Sequence, residues 1–406
     1  MNFRRTRNGI ALAAAGLLAL GLTSCSSGGS GSSGGDYVIG FSDGLTGSLA
    51  TYTAGELRWT KAVFNAVNAS GGIDGHKIRL KALDQGEAGS GKATANVIQL
   101  ATKDKATAIL GQLISNDCSS VAKVAERYKT PVLCQRGTES DLNPPSKYVF
   151  LDTDMETMEV EPQIKFIKSR VTKPNPRVAV FYSDLIGPLN WSNRWKKEAA
   201  ANGMTVSTVQ KEALSATNID ANIAAIVASK PDVVVAEIFN QFYKPLVDGL
   251  AAAGLDVPVV TTSGAVIGST MKSIGRANLY QTTITKPAIV DDPSNSAGLK
   301  ATLAELGKLG TKTTDALMDG EGTMPAVGPY IVVEALKKCG FPCSGQKMST
   351  ALEQVTTDAD GLVPGSFGYS PTSHIGVKNL VFMHWDPAKR TYTVAATEPA
   401  GQAFDG

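Results

Sequence analysis

Histidine is nearly missing from this chain: there are three in 406 residues, at 76, 374 and 384. So few imidazoles leave little for metal ligation or proton transfer, and neither a metal nor a cofactor is expected. An excess of one charge is missing too, with 39 Lys and Arg against 37 Asp and Glu for a net +2. Residues 1–24 hold three Arg and no acid, and taking those three away leaves −1. That balance gives no basic footprint, so nucleic acid is not an expected partner. No H-E-x-x-H occurs, and the glycine-flanked turn Gly264-Ala265-Val266-Ile267-Gly268 has no serine at its centre. No enzyme is expected from such a set.

A long hydrophobic run is also lacking. Ile10 to Leu22 is uncharged but spans thirteen residues, too short to cross a bilayer, and it follows Arg4, Arg5 and Arg7. A basic start and a short apolar core read as an export signal over residues 1–24. The signal ends in Leu22-Thr23-Ser24-Cys25, which resembles a bacterial lipobox, so Cys25 is expected to carry lipid. Ser26 to Gly35 contains only Ser and Gly, which makes 25–35 a flexible tether. The reading is of an exported monomer, anchored by Cys25 to the outer face of the cytoplasmic membrane.

Four other cysteines remain, at 118, 134, 339 and 343. An even count in an exported chain invites two bridges, most simply Cys118–Cys134 and Cys339–Cys343, with free buried thiols as the alternative.

From Asp36 onward, short apolar runs alternate with helical stretches. Strands are expected at 37–41, 77–83, 107–111 and 131–134, and again at 177–182, 205–209, 232–238 and 257–262. The intervening helices, near 54–69, 91–103 and 118–129, then 156–171, 191–202, 218–229 and 242–253, make parallel βαβ units. Thr53-x-x-Glu56 reads as a capping box at the first helix start. Two such series over 382 remaining residues predict two α/β domains. Helices at 295–309 and 330–338 and strands at 379–385 and 390–396 follow, enough chain to return to the first domain.

Ligands of open parallel sheets sit beyond the carboxyl ends of the strands. That rule nominates the loops Ser42–Gly47, Asp84–Ser90, Leu113–Asp117, Gln135–Ser140, Ser183–Asn190, Glu237–Gln241 and Thr262–Ala265. One of them runs into a near miss of a phosphate loop: Gly86, four residues, Gly91 and Lys92, then Ala93 where a magnesium-holding hydroxyl belongs. Phosphate binding is therefore not expected there.

Taken together, "VIGFSDGLTGSLATYTAGE", "NASGGIDGHKIRL", "ATAILGQLISNDC", "TPVLCQRGTESDL", "RVAVFYSDLIG" and "GLDVPVVTT" resemble the type I periplasmic binding proteins, nearest the leucine/isoleucine/valine-binding branch that serves ABC importers. The resemblance implies an α/β fold of two doubly wound parallel-sheet lobes joined by three crossovers. It places one lobe at 36–155 plus 286–376 and the other at 156–285 plus 377–406. It also implies capture of a small carboxylate-bearing ligand by hinge closure, with ABC permease subunits as membrane partners. A sensor of the same fold signalling to a receptor is the alternative, an extracellular hydrolase a further one.

The ligand carboxylate is then expected at Ser115, with Asn116 beside it, and at Gly137 and Thr138. Tyr52 would cover the ligand, and Ile186 and Phe239 would wall it. Where amino-acid binders place an acid against the ammonium, this chain has Ser263. Either Glu237 replaces that acid or the ligand has no ammonium, in which case Arg136 would favour a simple carboxylate.

Overall fold

In a computed structural model, residues 35–87, 89–263, 268–288, 292–310 and 322–404 are described. The export signal, Cys25, nearly all of the tether and Ala265 lie outside them.

The first series forms β1 (Tyr37–Asp43), α1 (Ala50–Ala69), β2 (Ile78–Asp84), α2 (Lys92–Thr102), β3 (Ala108–Gly111), α3 (Ser115–Tyr128), β4 (Val132–Cys134), a short α4 (Glu139–Leu142) and β5 (Val149–Leu151). These strands make a five-stranded sheet in the order β2-β1-β3-β4-β5, parallel throughout. Parallel strands covered by helices on both faces lose the polar alternation of half-exposed ones. Thus β3 reads Ala-Ile-Leu-Gly and is buried along its whole length.

A 3₁₀ turn (Glu156–Glu159) leads into the second series: α5 (Val160–Arg170), β6 (Arg177–Ser183), α6 (Ile186–Ala201), β7 (Thr205–Glu212), α7 (Asp220–Ala228), β8 (Val233–Glu237), α8 (Asn240–Ala252), β9 (Val259–Thr261), α9 (Gly268–Met271) and β10 (Leu279–Thr283). The chain then adds α10 (Ala297–Lys308), α11 (Val327–Cys339), α12 (Gly345–Leu352), a small hairpin of β11 (Thr356–Thr357) and β12 (Phe367–Gly368), and finally β13 (Asn379–Asp386) and β14 (Thr391–Pro399). The second sheet has seven strands in the order β14-β13-β10-β9-β8-β6-β7. Its last two are antiparallel, with β13 laid on β10 and β14 on the edge.

Each sheet has its own core. Around the first, Phe41, Trp59, Ile109 and Phe150 pack with Leu303, Ile331 and Leu336, so α10 and α11 return to this side. On the second, Phe181, Val234 and Leu246 pack with Trp385 on one face, and Val180, Trp191 and Trp195 pack with Phe382 on the other. Complete burial of one such aliphatic side chain stabilises the fold by about 1.5–3 kcal/mol. Both disulfides are formed, with Cα separations of 6.0 Å for Cys118–Cys134 and 5.7 Å for Cys339–Cys343. The first ties α3 to β4.

One expectation needs correction. Helix α1 starts at Ala50, not 54, so Thr53 lies inside it and its hydroxyl donates to the Gly44 carbonyl at 2.5 Å instead of closing a capping box. His76 closes the tight turn that starts at Ile73 and is half-buried. Its ring stacks on Phe341 at 3.9 Å and meets Tyr37 edge-on.

Candidate functional site

The carboxyl ends of the two parallel arrays face each other across a narrow crevice whose free volume is about 30 Å³. That is far below the roughly 300–1,000 Å³ of small-molecule sites. From the first-sheet side come Leu113, Ile114 and Ser115 before and at the start of α3, and Arg136 after β4. Glu156 enters from the 3₁₀ turn. The second-sheet side contributes Leu185 and Pro188 around the start of α6, Glu237, Ile238 and Phe239 between β8 and α8, and Ser263 after β9.

Strand ends and helix starts fix these positions. Gly111, the last residue of β3, has φ +116°, and a Cβ there would lie 2.2 Å from the Ser42 carbonyl oxygen. Only glycine lets the chain turn there toward Leu113. The turn is held by buried Asp43, whose carboxylate accepts from the Leu113 N–H at 2.9 Å and the Gly44 N–H at 2.7 Å. Burial pushes this carboxyl up to about 7 in spite of those amides.

Among the described residues, three polar contacts stand out across the crevice. Ser115 Oγ accepts from the Gly187 N–H at 3.3 Å, and Tyr52 Oη accepts from the Asn240 N–H. Both donors belong to the first turns of α6 and α8, amides that no helical carbonyl can satisfy. The third contact is Arg136, whose Nη2 donates to Ser263 O at 2.6 Å and Ser263 Oγ at 3.0 Å. An apolar cluster closes the same gap: Leu49, Tyr52, Leu113 and Ile114 meet Leu185, Leu214 and Phe239. Tyr52 stands edge-on to Phe239 at 5.9 Å.

The floor is ionic. Arg136 is buried and lies 3.6 Å from Asp154 and 3.5 Å from Glu156. Its Nη1 also donates to Thr153 Oγ1 at 2.8 Å and to Gln135 O at 3.1 Å. Glu159, fully buried, accepts from the Ser263 N–H at 3.1 Å and from Gln163 Nε2 at 3.1 Å. Burial, with the charges of Asp154 and Glu237 nearby, raises its carboxyl well above the usual range. Burial raises Glu156 as well, against the pull of the Arg136 guanidinium. Gly187 leaves room for this acid, because a Cβ there would lie 2.4 Å from Glu156 Oε1.

Of the residues nominated from sequence, the crevice brings together Ser115, Arg136, Glu237, Phe239 and Ser263. Tyr52 is one layer behind, against Phe239. Ile186 is 42 % exposed on the rim beside Leu185. Asn116 is exposed. Thr138 donates to Asp141 Oδ2 at 2.6 Å, and a Cβ on Gly137 would press on Leu142 and Leu151, which places both in the packing below the crevice. Asp154, Glu156 and Glu159 were missed by sequence reasoning, since "LDTDMETMEV" reads as the solvated start of a helix.

The near phosphate loop is filled from within. Asp117 Oδ1 and Oδ2 accept from the Gly89 N–H at 3.1 and 3.2 Å, and Asp84 Oδ1 accepts from the Gly86 N–H at 2.8 Å. The chain's own carboxylates take the amides a phosphate would need. Among the described residues, no group of His, Cys, Asp or Glu is arranged to hold a metal ion.

A family model described as periplasmic binding protein matches residues 36–391. Solved structures show the same fold. A solute-binding protein of an R. palustris ABC transporter, in complex with 4-hydroxybenzoate, is 17% identical over 91% of this chain and 98% of its own, with a TM-score of 0.75. A second from R. palustris, in complex with benzoate, is 15% identical over 91% and 98%, with a TM-score of 0.71. The branched-chain amino acid transporter substrate-binding protein LivJ of Streptococcus pneumoniae, in complex with isoleucine, is 18% identical over 90% and 99%, with a TM-score of 0.70. No curated protein matches the chain in sequence.

Proposed function

Because this chain belongs to the type I periplasmic binding proteins, we propose that it is the extracytoplasmic solute-binding lipoprotein of an ABC importer, capturing a small carboxylate-bearing molecule between two lobes. The observation that carries this reading is the crevice between the strand ends of two sheets, with walls from both and hydroxyls reaching across it to helix starts. We place the lobes at 36–155 plus 286–376 and at 156–285 plus 377–406. The return of α10 and α11 to the first core and of β13 to the second sheet supports that division. The signal over 1–24, the lipid on Cys25 and the tether to residue 35 belong to the same proposal and rest on sequence.

Closure explains the arrangement. In the open form the N–H groups at the start of α3 and the Ser115 hydroxyl offer donors at a positive helix end, a seat for a carboxylate. As the lobes meet, Phe239 and Leu185 cover the apolar part of the guest. Observed affinity is then the closed-state affinity scaled by the fraction of molecules able to close. Capture needs no bond to be made or broken, and we assign the site no turnover.

Thermal-shift screening against aliphatic amino acids, aromatic acids and short carboxylates tests the reading, since a ligand of the folded state raises its melting temperature. Ser115→Ala should then weaken the hit by about 1–3 kcal/mol, the cost of a hydrogen bond to a charged group. Chemical conversion of the hit on long incubation, or full affinity in Ser115→Ala, would count against it.

A further inference from the structure

We propose that the face at the amino ends of the first sheet is a docking surface for anionic lipid, on which the tethered protein rests with its crevice turned away from the bilayer. This rests on the lipid anchor proposed above and adds a contact made by the folded chain itself.

Charge is sorted along the first sheet. At the carboxyl ends of its strands, the segments 44–49, 85–91, 112–114, 135–138 and 152–159 hold one Arg and five Asp or Glu. At the amino ends, the segments 35–36, 70–77, 103–107, 129–131, 143–148 and 337–347 hold eight Lys and three Asp. All eight Lys are exposed, and among the described residues only Lys337 is ion-paired, with Glu334 at 2.7 Å. Of the acids, Asp104 is balanced by Lys81 at 3.9 Å. A helix C-terminus favours cations, which accounts for Lys337 and Lys338 in the last turn of α11. It does not account for Lys77, Lys105 and Lys147, which precede strands, nor for Lys347 in the first turn of α12, where the helix end is itself positive.

These segments form one continuous surface. Thr107 Oγ1 donates to the Cys343 carbonyl at 3.1 Å, and Ser349 Oγ donates to the Lys147 carbonyl at 2.6 Å. A Cβ on Gly345 would lie 2.1 Å from the Lys129 carbonyl oxygen. An aromatic ring stands among the lysines: Phe341, between the bridged Cys339 and Cys343, is 37 % exposed, stacks on His76 at 3.9 Å and meets Tyr37 edge-on at 5.2 Å.

The tether joins the fold in the same place. Gly35 O accepts from His76 Nδ1 at 2.8 Å, and a Cβ on Gly35 would lie 3.6 Å from the Phe341 ring. Ten residues, Ser26 to Gly35, follow Cys25, and a segment of that size reaches at most about 35 Å. That is roughly the length of α1, with its 20 residues. A lipid on Cys25 therefore holds this face nearer the headgroups than the crevice, which lies at the far end of the same strands. Each Lys within a Debye length of an anionic surface adds attraction, and an aromatic ring settles at the headgroup level. With this face down, the crevice opens toward arriving solute.

The test is vesicle sedimentation of the mature chain, residues 25–406, carrying Cys25→Ser so that no lipid is attached. The probes are vesicles of phosphatidylcholine alone and of equal parts phosphatidylcholine and phosphatidylglycerol. Binding should be confined to the phosphatidylglycerol vesicles and fall at least about tenfold as salt rises from about 0.05 to about 0.5 M. Lys105→Gln, Lys338→Gln and Lys347→Gln combined, all exposed, should weaken it about tenfold or more. Lys168→Gln, Lys196→Gln and Lys230→Gln combined, exposed around the second sheet, should change it less than about threefold. Phe341→Trp should place an indole where brominated lipid quenches it, against a background of buried Trp59, Trp191, Trp195 and Trp385. Equal binding to both kinds of vesicle, binding to neither, or equal loss in the two triple variants overturns the inference and leaves the solute-binding lipoprotein standing. Mass spectrometry of the exported chain showing no lipid on Cys25 overturns the anchor, and the docking with it.

Discussion

Replacing Arg136 with Met removes the guanidinium and leaves its acids in place. Methionine roughly fills the stem, but the Asp154 and Glu156 carboxyls lose their countercharge at 3.6 and 3.5 Å, and the buried Ser263 carbonyl loses its donor. Breaking a buried pair from one side costs about 3–5 kcal/mol, because the remaining charge stays buried without compensation. Glu156 has an escape, which is to take up a proton. Glu156 already sits above its usual range through burial, and the guanidinium is what pulls it back. Without Arg136 its carboxyl rises further, so the folded variant binds more protons than the wild type. Stability that depends on a raised carboxyl is present at low pH and is lost as pH climbs through the folded value. The deficit of Arg136→Met should therefore be small at pH 5.5 and approach the full cost at pH 8. Urea unfolding followed by tryptophan fluorescence reports it, with Trp59 in the first core and Trp191 and Trp195 in the second. Adding Glu156→Gln should recover part of the loss at pH 8. A deficit below about 1 kcal/mol at both pH values, or one larger at pH 5.5, would refute the claim that Arg136 is the countercharge that holds Glu156 down.

Other expectations concern sites around the crevice. Glu212, at the end of β7, accepts from Ser183 Oγ at 2.5 Å, while its Oε2 is buried with no hydrogen-bond partner among the described residues. Burial pushes this carboxyl up to about 8, so its contribution to stability is present below pH 4.5 and is lost as pH rises through 8. Glu212→Gln should be near wild type at pH 5 and more stable at pH 9 in thermal melts, and equal slopes of melting temperature against pH would contradict this. Replacing Cys118 and Cys134 together with Ala should cost about 3 kcal/mol in urea, from the unfolded-chain entropy of a loop of this length. Tyr52→Phe removes the acceptor for the Asn240 N–H and should raise the ligand's dissociation constant by about 1 kcal/mol equivalent in calorimetry, with urea stability almost unchanged.

The alternation of apolar runs and amphipathic stretches was enough to place most strands to within two or three residues, because buried parallel strands are continuous in composition and need no partner to be recognised. The elements it failed to show are those whose burial is decided by neighbours. Strand β5 has three residues, and β10, "LYQTT", is polar at its end yet wholly buried between β9 and β13. The short α12 fills space under the first core through Met348 and Leu352. Leu113 to Ser115, Arg136, Glu237, Phe239 and Ser263 were legible because strand ends are where such folds put ligands. Asp154, Glu156 and Glu159 were not, since acids in a row before a helix are ordinarily solvated, and only the tertiary approach of Gly187 and Ser263 buries them.

The phosphate-loop spacing at Gly86–Lys92 shows the same limit from the other side. Its letters describe a backbone shape, and the shape is real: Gly86, Gly89 and Gly91 all take positive φ, and the turn opens α2. Such a turn presents amides to an anion whether the anion arrives from outside or belongs to the chain. Here Asp117 reaches it from the first turn of α3, and Gln85 links that carboxylate toward Asp43 through hydrogen bonds of 3.0 and 3.4 Å. Asp43 in turn holds the Leu113 N–H, so the loop's anion site is wired to the backbone that delivers Ser115 to the crevice. The near-motif therefore braces the backbone that leads to the proposed site. Which group fills its amides is what spacing alone does not encode.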